Sequence, residues 1–183
     1  MILTFLKRMK GGGITPHRKS FSKISWSWIG AFIGIYLIAI LNKLLFSDIE
    51  NGLFLVGSFG ASAVLIYGAP QAEFSQPRNL IGGHILSAII GVTVYKILPL
   101  DIALLSAVAV SLSVVLMHFS RTLHPPGGAT ALIAIIGSNK VHSLGYLYIF
   151  YPIASGAFVL LVVALIVNNL SKNKKRHYPK YWI

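Results

Sequence analysis

The run Leu123-His124-Pro125-Pro126-Gly127-Gly128-Ala129-Thr130-Ala131-Leu132 breaks an otherwise apolar stretch of chain. Each proline lacks an N–H and fixes its own φ, and Pro125 disfavours a helical His124. A helix arriving from upstream therefore stops before the prolines. Pro126 suits the first turn of a new helix, where no intrahelical donor is needed. The glycines expose backbone N–H groups and let another group approach closely. One helix ends and another begins inside apolar sequence. In lipid, such broken backbone persists only where it is buried in protein or lines a polar cavity. The new helix N-terminus, with free N–H groups at Gly127, Gly128 and Ala129 and a positive dipole end, is expected to bind an anion.

Around this run the chain holds six apolar segments, at about 26–46, 53–69, 80–98, 102–119, 127–137 and 144–170. The first, third, fourth and sixth are long enough, or nearly so, to cross a hydrocarbon core of about 30 Å as helices. The second would reach roughly 26 Å and the fifth roughly 16 Å, too little for the fifth to span alone. All are continuously apolar rather than alternating, unlike the strands of a transmembrane barrel. The expected fold class is an all-α membrane protein. A basic arm over 1–25 and a basic tail over 171–183 flank one transmembrane domain over 26–170.

Composition agrees. The chain is 55% hydrophobic and 11% charged, against roughly 25% charged in an ordinary soluble domain. Its four acidic residues, Asp48, Glu50, Glu73 and Asp101, all lie outside the apolar segments. The net charge of +12 is concentrated at the ends: Lys7, Arg8, Lys10, Arg18, Lys19 and Lys23 in the arm, Lys172, Lys174, Lys175, Arg176 and Lys180 in the tail. Basic flanks mark the cytoplasmic side of membrane spans and attract anionic lipid. No interleaved aromatic stripe or recognition motif accompanies them, so nucleic acid is not an expected partner. The absence of cysteine excludes disulfides and thiolate chemistry. The first six residues are too short an apolar run for a secretory signal, and the basic cluster follows rather than precedes them. An integral protein of a bacterial-type cell membrane, with both termini cytoplasmic, is expected.

The two short segments resemble each other. Gly60-Ala61-Ser62-Ala63-Val64-Leu65-Ile66 aligns with Gly128-Ala129-Thr130-Ala131-Leu132-Ile133-Ala134 at an offset of 68. The same offset carries the third segment onto the sixth, and the first roughly onto the fourth. The chain thus reads as two repeats, about 26–98 and 102–170, each a long helix, a short Gly/Ala/Ser/Thr helix and a long helix. Two basic termini require an even number of crossings. Six crossings place Arg78 and Arg121 on the side of the termini and invert the repeats; four crossings with two re-entrant segments place both arginines opposite. The charge rule favours six.

Broken helices at matched positions of two repeats point to a transport site. The first-repeat counterpart of the proline break is Gly57-Ser58-Phe59-Gly60-Ala61-Ser62. If the repeats are inverted, the two short-helix N-termini converge, with Gly60, Ser58, Ser62 and Thr130 beside His124. The competing reading makes these small residues packing contacts, with hydroxyls bonded to their own helix. His84, after Gly82-Gly83 inside the third segment, is costly in lipid and a functional candidate by default. Arg78 and Arg121 could attract an anion at the mouth or snorkel to headgroups. His84, His118 and His124 have no helical ligand spacing and no accompanying carboxylate, so no metal site is expected. No cofactor is expected either.

Together these residues resemble the HPP family of integral membrane proteins, named for its His-Pro-Pro motif. The resemblance covers roughly residues 20–170. It rests on Gly57-Ser58-Phe59-Gly60-Ala61-Ser62-Ala63, on Gln76-Pro77-Arg78-Asn79 with Gly82-Gly83-His84, and on Arg121-Thr122-Leu123-His124-Pro125-Pro126 and the glycines that follow. It implies four transmembrane helices. It also implies transport, and nitrite as substrate, since plastid and cyanobacterial members are associated with nitrite transport. Some members carry a C-terminal regulatory domain, which a sequence ending at Ile183 is expected to lack.

The expectation is a transporter or channel for a small monovalent anion, nitrite first, seated on the short-helix N-termini. The alternatives are a proton-coupled carrier or cation-handling protein using the intramembrane histidines, and a membrane-embedded enzyme. The last is disfavoured because no segment holds a carboxylate and no Ser/His/Asp order is visible. Glycine-rich membrane helices often self-associate, so a homo-oligomer is also expected.

Overall fold

The computed structural model describes residues 2–10, 12–45 and 57–183. These form a short helix α1 (Ile2–Arg8), a long α2 (Phe21–Leu45), a short α3 (Gly57–Gly68), long α4 (Pro77–Ile97) and α5 (Ile102–Phe119), short α6 (Pro125–Ile136) and α7 (Asn139–Leu144), and long α8 (Ile149–Leu170). No strand occurs among the described residues. Four helices, α2, α4, α5 and α8, are long and apolar enough to cross a membrane. The segment expected at 144–170 is divided: α7 ends at Leu144, and Tyr151 leaves helical geometry beside Pro152 within the first turns of α8. The first long helix, α2, begins at Phe21, five residues before the apolar run expected at 26–46. Residues 46–56, with Asp48, Glu50 and the first four residues of the segment expected at 53–69, lie outside the described residues.

Local chemistry sets the boundaries. Pro77 opens α4 and Pro125 opens α6, each at a first-turn position where no donor is required. Asp101 caps α5, its Oδ1 accepting the N–H groups of Ala103 (2.9 Å) and Leu104 (3.1 Å). The far end of α5 is closed by Arg121 in the left-handed region, at φ 56. The Thr122 N–H then reaches back to Met117 O (2.9 Å) and the Arg121 N–H to His118 O (3.1 Å), which satisfies the last carbonyls of the helix.

Contacts along the helices fix their directions. Arg176, beyond the end of α8, bonds to the Lys23 carbonyl near the start of α2, and Leu160 packs at Gly34, so α2 and α8 are antiparallel. Phe59 packs on Gly156, and Asn168 Nδ2 donates to Ile66 O (3.0 Å), so α3 runs parallel to α8. Gly127 packs at Gly83 and Ala131 at Gly91, so α6 runs parallel to α4. Arg78 donates to Ser120 O (2.8 Å), placing the start of α4 beside the end of α5. Passes through the body alternate, and α3 and α6 run in opposite directions. Each triplet's first long helix packs on the third helix of the other triplet, α2 on α8 and α5 on α4, and α5 packs as closely on α6 of its own triplet.

One end of the molecule therefore carries the start of α2, the 69–76 loop, Arg78, Arg121 and the tail. The four-crossing arrangement, with both arginines opposite the termini, does not fit these contacts. The tail is packed rather than loose. Tyr178 O–H donates to Ser75 O (2.8 Å), and the Lys180 N–H to Gln76 Oε1 (2.7 Å); Gln71 Nε2 donates to His177 O.

Small residues permit the closest approaches. A Cβ at Gly91 would meet Ala131 O at 2.7 Å, and one at Gly127 would meet Gly83 O at 2.9 Å. The α4–α6 seam is thus a backbone-to-backbone contact, the arrangement favoured where lipid supplies no hydrophobic drive to association.

Candidate functional site

The seam brings four polar side chains together, each fully buried: Ser62 on α3, His84 on α4, His124 at the cap of α6 and Thr130 within α6. Ser62 Oγ lies 2.7 Å from His84 Nε2 and 2.8 Å from His124 Nε2. His84 Nδ1 lies 2.7 Å from Thr130 Oγ1. His124 Nδ1 lies 2.7 Å from the carbonyl oxygen of Phe74, in the 69–76 loop. The two rings meet edge to face at 4.9 Å, and Phe59 flanks His84 at 5.3 Å.

The direction of every bond follows from one end. A carbonyl only accepts, so His124 Nδ1 carries a proton and donates to Phe74 O. In the neutral ring, Nε2 then accepts from the Ser62 hydroxyl. Ser62 has one proton, so its oxygen must accept from His84 Nε2–H. His84 Nδ1 in turn accepts from the Thr130 hydroxyl. The chain Thr130→His84→Ser62→His124→Phe74 O is closed and unidirectional when both imidazoles are neutral.

Each hydroxyl has a second acceptor one helical turn back. Ser58 O lies 3.2 Å from Ser62 Oγ, and Pro126 O lies 3.4 Å from Thr130 Oγ1. If a proton is added to His84 Nδ1, the Thr130 hydroxyl can turn to Pro126 O. If one is added to His124 Nε2, the Ser62 hydroxyl can turn to Ser58 O. The network can therefore take up a proton without a donor facing a donor. The cost is charge: a buried imidazolium is expensive without an opposite charge, and the network contains no carboxylate. Ser58 adds an uncommitted group, since its hydroxyl is fully buried and has no hydrogen-bond partner.

The helix-terminus cradle expected from sequence loses Gly127 as a free donor. Pro125 and Pro126 have no N–H, and the Gly127 N–H already donates to His124 O at 2.8 Å. Gly127 is a packing residue, pressed on Gly83 and Ser87. Gly128 and Ala129 are half-buried, and a Cβ at Gly128 would find only Val110 at 3.7 Å. Gly60 is half-buried with open space at its Cα. What meets is the α6 cap, through His124, and the second turn of α3, through Ser62. Arg78 is half-buried and holds the Ser120 carbonyl, while Arg121 is exposed in its turn; neither joins the network.

Two participants carry no sequence signal. The Phe74 carbonyl is backbone in an irregular loop. Tyr148 O–H, which donates to Thr130 O (3.0 Å) and steadies the middle of α6, sits in what reads as plain apolar sequence. Asn79, whose Nδ2 donates to Leu123 O (2.9 Å) and fixes the approach to His124, stood within the quoted Gln76-Pro77-Arg78-Asn79 stretch but had no role there.

Comparison with known proteins agrees with this architecture. The model of the HPP transmembrane region matches residues 16–179. Two transmembrane proteins of Dictyostelium discoideum are similar to the chain. One is 45% identical over 98% of it and the other 43% identical over 99%. The chain spans 58% and 64% of the lengths of these two relatives. No solved structure matches it significantly. With the matched region running from the basic arm through the proline break to the packed tail, the chain belongs to the HPP family of integral membrane proteins.

Proposed function

We propose that this protein transports a small monovalent anion together with a proton, through the buried Thr130–His84–Ser62–His124 chain. The supporting observation is the position of Ser62 Oγ between two imidazole Nε2 atoms. Neutral, the chain is saturated and offers nothing to an anion. Protonated, it holds one positive charge in a water-poor interior, and a single negative charge restores balance. Proton and anion then load as a neutral pair, which crosses a low-dielectric barrier at far less cost than either ion alone. This charge count favours a monovalent anion, and the family resemblance makes nitrite the first to test. The Ser58 hydroxyl, uncommitted one turn from Ser62, supplies a donor beside the charged ring.

The two triplets act in this reading as inverted repeats rocking about the α3–α6 contact. The end bearing the 69–76 loop, Arg78, Arg121 and the tail faces the cytoplasm, by its concentration of Lys and Arg. The role is transport rather than enzymatic catalysis. Uptake of nitrite, formate and chloride into proteoliposomes, with the pH gradient and membrane potential varied separately, tests the proposal. Uptake driven by an inward proton gradient and indifferent to potential supports it; potential-driven anion current indifferent to pH contradicts it.

A further inference from the structure

Apart from the histidine chain, the molecule holds a cavity of about 350 Å³ between the start of α2, the 68–72 stretch and the tail. Four cationic residues line it, Lys19, Lys23, Lys175 and Arg176, with apolar Ile24 and Pro70; no carboxylate is among its lining residues. Lys19 and Lys175 are exposed, and Lys23 half-buried.

Arg176 is the unusual member. It is only 3% exposed. Its Nη1 donates to Lys23 O (3.2 Å) and Ser27 Oγ (3.1 Å), and its Nη2 to Tyr67 O (2.6 Å). Those bonds use three of the five guanidinium protons. Nε is buried and has no partner. Burial pulls the guanidinium below the usual arginine range, and its hydrogen-bond partners are two carbonyls and a hydroxyl rather than an anion. A buried charge without a counter-ion is strongly unfavourable, and three lysines gathered beside it add repulsion. A bound anion would remove both penalties.

We infer that this cavity is a binding site for a phosphate group carried on a small organic body, clamped between Arg176 and Lys19, Lys23 and Lys175. A phosphate offers enough oxygens to engage several cations at once, and a guanidinium edge matches it in geometry. The volume exceeds what a bare inorganic anion fills, and Ile24 and Pro70 give an apolar wall for the remainder. The site adjoins the first turns of α2, a candidate membrane span, where basic pockets meet anionic headgroups. A phospholipid headgroup and a soluble phosphate ester share this chemistry.

The full chain is compared in nanodiscs of phosphatidylglycerol, whose phosphate is uncompensated, and of phosphatidylcholine, whose choline offsets and shields its phosphate, and separately in detergent with and without glycerol 3-phosphate. The readout is the shift in thermal midpoint that each phosphate source produces, so that a change in baseline stability cancels. The expected shift is upward by about 3 °C or more. It should vanish in K19Q/K23Q/K175Q and persist in K7Q/K10Q/K43Q, which removes as many charges elsewhere. A site-dependent shift in the nanodiscs alone supports the inference with lipid as the source; a shift with glycerol 3-phosphate supports it with a soluble ester. No shift with either probe, or equal loss in both triple variants, overturns it.

Discussion

Ser62 on α3 and Thr130 on α6 hold opposite nitrogens of one imidazole, His84, at 2.7 Å each. These two hydroxyls occupy matched places in the two short segments, 68 residues apart. A ring from α4 thus ties together two short helices that run in opposite directions. The second ring, His124, extends the tie to the 69–76 loop. In the proposed rocking of one triplet against the other, the His84–Thr130 and Ser62–His124 bonds cross between the triplets and would have to rearrange, which would link that motion to the protonation of the rings.

Removal of the central hydroxyl tests that link. Ser62→Ala leaves His84 Nε2–H and His124 Nε2 without their shared partner inside the protein. A loss of about 1–3 kcal/mol in stability is expected, together with a drop in uptake of roughly tenfold or more. Ser62→Thr keeps the hydroxyl and should retain part of the activity. Thermal unfolding and proteoliposome flux of the two variants separate packing from function; unchanged flux in Ser62→Ala would remove Ser62 from the pathway.

The two histidines should fail differently. His84→Gln keeps polar atoms between Ser62 and Thr130 but cannot hold an exchangeable positive charge. Nitrite uptake and the accompanying proton movement should both fall to the level of protein-free vesicles, with the protein still inserted and folded. His124→Gln also loses the bond to Phe74 O, so the 69–76 loop should open. Faster proteolysis or hydrogen exchange at residues 69–76 in His124→Gln, but not in His84→Gln, is the expected pattern.

Glycines divide into packed and open ones. Gly91→Ala brings a methyl to 2.7 Å from Ala131 O, and Gly127→Ala brings one to 2.9 Å from Gly83 O. Neither backbone can yield cheaply, and a loss of about 1–3 kcal/mol is expected for each. Gly128→Ala, with Val110 at 3.7 Å, and Gly60→Ala, with nothing within 4 Å, should leave stability within about 0.5 kcal/mol of the parent. Denaturation midpoints of the four variants check this ordering.

Much of this was legible in the sequence. The four long helices, the two short ones, the break at Pro125 and the candidacy of His84, His124, Ser62 and Thr130 all follow from hydropathy, proline chemistry and the cost of a polar group in lipid. Gly127 is the exception. Its sequence context points to a free N–H donor, but the His124 carbonyl folds back to take the Gly127 N–H. The Gly83 seam, which needs a bare Cα at 127, is a tertiary contact that spacing alone does not disclose. In sequence, Arg176 is only one of several tail charges, for the same reason. Nothing local to Lys174-Lys175-Arg176 tells which cation turns inward to the carbonyls of Lys23 and Tyr67. The Phe74 carbonyl, which sets the direction of the whole chain, is a backbone atom and has no sequence signature.

The tail gives an independent check on the packed end. Tyr178→Phe deletes the bond to Ser75 O at a buried position. A loss of about 1 kcal/mol is expected, with protection in the 69–76 loop reduced. A parent-like melting point and exchange profile would mean that the tail does not brace the loop.

The most direct test follows internal pH and nitrite together in proteoliposomes bearing the parent chain or His84→Gln, with the membrane potential clamped at zero. The parent chain should carry nitrite inward only with an accompanying acidification, faster when the outside is more acidic, at a proton-to-nitrite ratio near one. His84→Gln should reduce both movements to the level of protein-free vesicles. Parent-chain nitrite flux that leaves internal pH unchanged, or flux in His84→Gln equal to the parent, would contradict the account.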